Sequence, residues 1–179
     1  MMNRNFFAGA ALALATVVAT AAQATIVAIP SSTLSSSVGS YSGLDGLGTS
    51  LNVSYAGAGS LSAIGPGPFE GLWFGGDQQS DTYTLNFNNS LDYLAIHINA
   101  MSTIPAYGDV ETIGAFSVNA PSAPSLTFTN IQFTAWDGST VTSGPEDNGE
   151  FLMEIHAAAG QSFTSLSFST IRSAPPTAR

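Results

Sequence analysis

From residue 51 onward the apolar residues recur at every second position. Leu51, Val53 and Tyr55 alternate with Asn52 and Ser54, and Tyr83, Leu85 and Phe87 alternate with Thr82, Thr84 and Asn86. Leu94, Ile96 and Ile98 hold one parity against Tyr93, Ala95 and His97. Phe116 and Val118 continue the pattern. Phe151, Met153 and Ile155 alternate with Leu152, Glu154 and His156, and Leu166 and Phe168 with Ser165, Ser167 and Ser169. Successive side chains of a strand point to opposite faces, so each run gives one apolar and one polar face. Between Leu126 and Trp136 the phase slips: Leu126 and Phe128 hold one register, Ile131 and Phe133 the other. That slip predicts a bulge or tight turn near Asn130.

Turn chemistry separates the runs at Gly57–Gly59, Gly65-Pro66-Gly67-Pro68, Gly75-Gly76-Asp77, Asn88-Asn89, Asp137-Gly138 and Gly144-Pro145. Eight or more short strands with such breaks predict an all-β fold, a single antiparallel β-sandwich or jelly roll. No fixed repeat points to a solenoid or propeller. Ser31 to Gly48 spaces Leu34, Val38, Tyr41, Leu44 and Leu47 by three or four, a helical interval. The residues between them are poor helix formers, so a loop packed on the sandwich wall is expected. Charged residues are only 8% of the chain, which argues against a helical bundle with Glu- and Lys-rich exposed faces. Ser, Thr, Asn and Gly supply the polarity instead, as suits strands and turns.

The N-terminus has the order of a secretory signal: Arg4, an uncharged run from Phe6 to Ala22, then Ala22-Gln23-Ala24. The run is too short and Ala-rich for a bilayer span of about 20 strongly apolar residues. Cleavage after Ala24 is expected, giving a signal peptide (1–24), a β-sandwich domain (25–171) and a C-terminal tail (172–179). Localisation outside the cytoplasm, secreted or in the cell envelope, follows as an expectation, with no transmembrane span in the mature chain. That chain would keep Arg172 and Arg179 against twelve acids, a net charge of −10. So few cations argue against nucleic acid and against anionic membrane surfaces. There is no cysteine, which excludes disulfides, zinc–thiolate sites and thiol chemistry.

The acidic turns are the best candidates for a metal. Asp77 and Asp81 bracket Gln78-Gln79-Ser80, and Glu146, Asp147, Asn148 and Glu150 crowd around Gly149. Calcium takes six to eight oxygens from such loop carboxylates and amides. Solvated acidic turns are the plainer alternative; no cofactor is required, and calcium is the one candidate. Trp73 and Trp136 stand beside Gly-rich turns, where an aromatic at a sandwich rim can stack on a sugar or anchor a partner. Core burial is the competing role. His97 and His156 are the only histidines, and His156 shares a strand face with Glu154. A zinc or copper site would need further ligands that the sequence does not nominate, so two surface-facing strand residues are expected. No G-x-S-x-G elbow is present for a serine hydrolase, and twelve acids make a glycosidase pair easy to find by chance.

The mature chain resembles the secreted proteins of exosortase-bearing bacteria, the PEP-CTERM group. The likeness lies in the cysteine-free Ser/Thr/Asn/Gly-rich β domain and in Ala135-Trp136-Asp137-Gly138-Ser139. It extends to Asp147-Asn148-Gly149-Glu150-Phe151 and to Gly160-Gln161-Ser162-Phe163-Thr164-Ser165-Leu166-Ser167-Phe168. The resemblance implies an extracellular surface or matrix protein. Members of the group end in Pro-Glu-Pro, an apolar span and an Arg cluster, whereas this sequence reads Ser173-Ala174-Pro175-Pro176-Thr177-Ala178-Arg179. Release without anchoring, or a tail lost from the gene model, is expected. The function expected is a non-enzymatic structural or adhesive protein meeting extracellular polysaccharide or other matrix components. A carbohydrate-binding module with a calcium-stabilised loop is the alternative, and an exported hydrolase the third.

Overall fold

The computed structural model describes residues 31–34, 36, 38–44, 48–57, 60–66, 71–75, 80–101, 110–144 and 149–173. Among the described residues one helical turn, α1 (Ser31–Leu34), precedes twelve strands. They are β1 (Ser40–Tyr41), β2 (Leu51–Ala56), β3 (Ser60–Ile64), β4 (Gly71–Gly75), β5 (Ser80–Leu91), β6 (Tyr93–Met101), β7 (Val110–Val118), β8 (Ser125–Gln132), β9 (Thr134–Trp136), β10 (Thr140–Ser143), β11 (Gly149–His156) and β12 (Phe163–Ser173). A seven-stranded sheet runs in the order β1-β2-β5-β12-β7-β10-β9, a three-stranded sheet in the order β6-β11-β8, and β3 pairs with β4. Every pairing is antiparallel. The fold is an all-β antiparallel sandwich, as the alternation predicts.

The apolar parity of each strand forms the layer between the sheets. Leu51, Val53, Tyr83, Leu85, Phe87, Ile113, Val141, Leu166 and Phe168 are buried from the seven-stranded side, and Phe151, Met153 and Ile155 from the three-stranded side. The β3–β4 hairpin covers a further part, with Phe74 set edge-on to Tyr83 and to Phe168. Aromatic rings run unbroken through this layer: Tyr55, Tyr83, Phe168, Phe116, Phe128 and Trp136, with neighbouring centroids 3.8–6.4 Å apart. Offset and edge-on pairs of this kind add about 0.5–1.5 kcal/mol each beyond the area they bury.

Two irregularities keep the parity correct. Opposite β11, Glu150 pairs with Gln132 and Phe151 with Asn130, so Ile131 is left over as a bulge. Phe133 then turns the chain toward β9 at φ 49°. This is the slip expected near Asn130. In β7 a second bulge sets Phe116 and Ala115 against Phe168 alone, with Ala115 at φ 52°. It lets Phe116 and Ile113, three residues apart, both face the core.

Two expectations change. Asn88-Asn89 is no break, because β5 continues to Leu91. Its amides are used sideways: Asn88 accepts from Ser50 N–H at 2.7 Å and donates to the Gly48 carbonyl, while Asn89 donates to Thr49 Oγ1. Gly71–Gly75, the segment that carries Trp73, is strand β4, and the turn expected at Gly76-Asp77 lies outside the described residues. Within Ser31 to Gly48, Ser31–Leu34 forms a helical turn and Ser40–Tyr41 a short strand. Tyr41, Leu34 and Leu44 join the core, but Val38 stays exposed.

Candidate functional site

The sandwich leaves two broad outward faces, and they differ in chemistry. On the seven-stranded sheet the polar parities of successive strands fall into register. Ser40, Asn52, Asn86 and Ser165 form one row, and Ser54, Thr84, Ser167 and Ser117 the next. A third holds Ala56, Thr82, Ser169, Gly114 and Thr140, and a fourth Ser80, Ile171, Thr112, Thr142 and Ala135. No residue of the four rows is charged. Neighbours bond along the rows, with Asn52 Nδ2 donating to Ser40 Oγ at 3.1 Å and the Thr82 and Ser169 hydroxyls 3.0 Å apart.

The three-stranded sheet turns out Tyr93, His97, Glu150, Glu154 and His156. His97 Nε2 lies 3.1 Å from Glu150 Oε2, and Gln132 donates to the other oxygen of that carboxylate. Register sets Tyr93 opposite His156 and Ala95 opposite Glu154. The Tyr93 hydroxyl donates to Glu154 Oε1 at 2.8 Å, and its ring lies 4.8 Å from that of His156. Glu154 holds the phenol pKa above its ordinary value, chiefly through that hydrogen bond, with desolvation and the carboxylate's charge adding to it. A cleft of about 650 Å³ opens here, lined by Asp92, Tyr93, Glu154, His156 and the stretch Ala157–Gln161. Gln161 fixes its rim by accepting from Ser122 N–H and donating to Ser122 Oγ, both at 3.0 Å. The cleft offers hydrogen bonds, negative charge and two rings to a polar ligand. Both histidines are exposed strand residues, as expected. The alternation of β11 already paired His156 with Glu154, but the cross-strand Tyr93 could be found only from register.

The other sequence candidates are dispersed. Asp81 is 1% exposed and lies on the core parity of β5 beside Tyr83, in register with Thr170. Glu150 belongs to the other sheet and faces outward, so the two are not brought together. Asp77, Glu146, Asp147 and Asn148 lie outside the described residues. Among the described residues no group of three or more His, Asp or Glu is placed to hold a metal ion. Trp73 lies in β4, in register with Ser62. Trp136 ends β9 at the open edge of the sandwich, stacked on Phe128 at 3.8 Å and 20° yet 38% exposed. Next to it Asp137 closes the β9–β10 hairpin. Its Oδ1 accepts from Ser139 N–H, Thr140 N–H and the Ser139 hydroxyl, which holds its pKa below the usual carboxylate range. Among the described residues no helix is long and apolar enough to cross a membrane.

No family model, curated protein or solved structure matches the chain.

Proposed function

We propose that the protein is an exported, non-enzymatic β-sandwich that acts as a structural or adhesive component of the cell surface or extracellular matrix. The observation that carries this reading is the uncharged Ser/Thr/Asn face across the seven-stranded sheet. A solvated sheet face can take charges at almost no cost in stability, and exposed substitutions usually change it by less than about 0.5 kcal/mol. Four rows without a single charge, in a chain with twelve acids, therefore suit a contact surface better than a merely soluble one. The secretory order of the N-terminus supports the location. The test is to add purified mature chain to washed envelope and matrix fractions and sediment them. Co-sedimentation that survives high salt is expected; a chain that stays in the supernatant rules the reading out.

A carbohydrate-binding module is the second reading, and Trp136 favours it. One face of the indole is held by Phe128, and the side chain remains partly exposed at the sheet edge. That is a rigid platform on which a sugar ring can stack. Trp136→Ala should then release a soluble oligosaccharide with the fold intact. The calcium-stabilised loop belongs to this reading, and it requires that calcium raise the melting temperature by mass action.

A further inference from the structure

We infer that the outer face of the seven-stranded sheet is a docking surface for a neutral, polyhydroxylated polysaccharide, engaged as an extended chain or a flat bundle of chains. This rests on the adhesive reading above and names its partner and its contact face. The rows repeat about 4.8 Å from strand to strand and about 6.7 Å along each strand, so they make a regular two-dimensional grid. At nearly every grid point stands a hydroxyl or an amide: Ser40, Asn52, Ser54, Thr82, Thr84, Asn86, Thr112, Ser117, Thr140, Thr142, and Ser165, Ser167 and Ser169 on the central strand β12. Each such group can both donate and accept. A partner must offer donors and acceptors together, at repeating intervals, which is what a chain of sugar hydroxyls does. One hydroxyl contact is weak, but contacts repeated along a polymer sum, because each one raises the effective concentration for the next.

Charge selects among the occupants. The mature chain carries a net −10, and none of the acids lies in the four rows. A polyanion would be repelled by the molecule as a whole. A polycation would be drawn to the carboxylates elsewhere, such as Glu150 and Glu154, and not to this face. A second copy brings another −10, and the face has little apolar surface to offset that repulsion. Ile171 is its one large exposed apolar side chain. A neutral hydroxylated polymer meets neither obstacle, and its contacts are indifferent to salt.

The experiment uses purified mature chain and insoluble cellulose, with an insoluble acidic polysaccharide as control. Retention on cellulose, unchanged up to about 1 M salt where the Debye length is about 3 Å, is expected, with none on the acidic polymer. Thr84→Lys with Ser167→Lys sets two charges side by side at the middle of the grid. That variant should melt as the parent does and bind cellulose about tenfold more weakly or worse. Should the pair fail to fold, Ser54→Lys alone, near the edge, serves instead. Thr127→Lys, on the outer face of the three-stranded sheet, should bind as the parent. A folded lysine variant that binds undiminished overturns the proposed face, as does loss of binding in Trp136→Ala alone. Co-sedimentation with native matrix but none with cellulose overturns the neutral-polysaccharide partner and leaves the adhesive reading standing. Failure to sediment with either removes both. Adsorption to ice in place of cellulose, or concentration-dependent dimers abolished by the lysine pair, also overturns it.

Discussion

The seven-stranded sheet turns Ser, Thr and Asn to solvent, while the three-stranded sheet turns out two histidines, two glutamates and a tyrosine. Both rest on the same apolar layer and obey the same alternation of parity. Folding thus requires only that outward positions be polar; which polar groups stand there is free to answer to use. One face carries carboxylates, imidazoles and a cleft, and the four rows of the other carry no charge. The contrast also locates electrostatics. Among the described residues the outward-facing carboxylates and histidines stand on the three-stranded sheet and on the turns, while Asp81 is buried within the seven-stranded sheet.

The largest effect is expected in the layer the two faces share. Phe168 is 1% exposed and its ring meets Phe74, Tyr83 and Phe116. Phe168→Ala should cost about 3–5 kcal/mol in urea unfolding. A loss under about 1 kcal/mol would break the picture of two faces on one core. Next comes the joint where the chain passes from one sheet to the other. A Cβ on Gly149 would stand 2.8 Å from the Phe133 carbonyl oxygen and 2.9 Å from Thr134 Cγ2. Gly149→Ala should therefore cost about 1–3 kcal/mol through overpacking. A neutral outcome would show that the joint between sheets is loose.

Smaller effects separate the faces themselves. Glu150→Gln removes the carboxylate that meets His97, whose side chain is 49% exposed. Read at about pH 5, below the ordinary imidazole range, the expected cost is at most about 1 kcal/mol, and it should shrink with added salt. Thr82→Val, which breaks the hydroxyl pair with Ser169, should show no salt dependence at all. Equal salt responses would erase the distinction. The smallest effect is at alkaline pH. Tyr93 keeps its proton in the folded state beyond the pH at which the unfolded chain loses it. Its contribution is therefore complete below the ordinary tyrosine pKa and is lost as pH rises from there through the folded value. Tyr93→Phe should flatten that alkaline decline, read by thermal melts across the range.

Strand parity was legible because burial acts on side chains two apart: Tyr83, Leu85 and Phe87, and Phe151, Met153 and Ile155, are core residues as their alternation implies. The slip near Asn130 was legible because the apolar spacing changes there, although Ile131 at the bulge and Phe133 at the turn stay about half exposed. The bulge at Ala115 shows in the sequence only as the three-residue step from Ile113 to Phe116, a single interval that a turn would explain as well. Asn88-Asn89 misled because turn formers are read as local, and here their amides bond a loop some 40 residues distant in sequence. The two faces were half legible. Each strand's outward residues could be written down, but the rows, and the meeting of Tyr93 with Glu154 and His156, depend on register between strands far apart in the chain. Asp81 was misplaced with the acidic turn because it follows one; strand parity puts it inside, next to Tyr83.

The place of β12 has a consequence for the order in which the molecule can assemble. It is the last strand in sequence among the described residues, yet it stands fourth of seven, hydrogen-bonded to β5 on one side and β7 on the other. Until it arrives, β5 and β7 have no common neighbour and the aromatic layer lacks Phe168 at its centre. Such a chain cannot complete its larger sheet from the N-terminus onward; most of it must be available at once. Sheets closed by a late, distant strand fold slowly and expose unpaired edges while they wait. Under the export proposed above, that delay would keep the chain extended until the final strand has crossed.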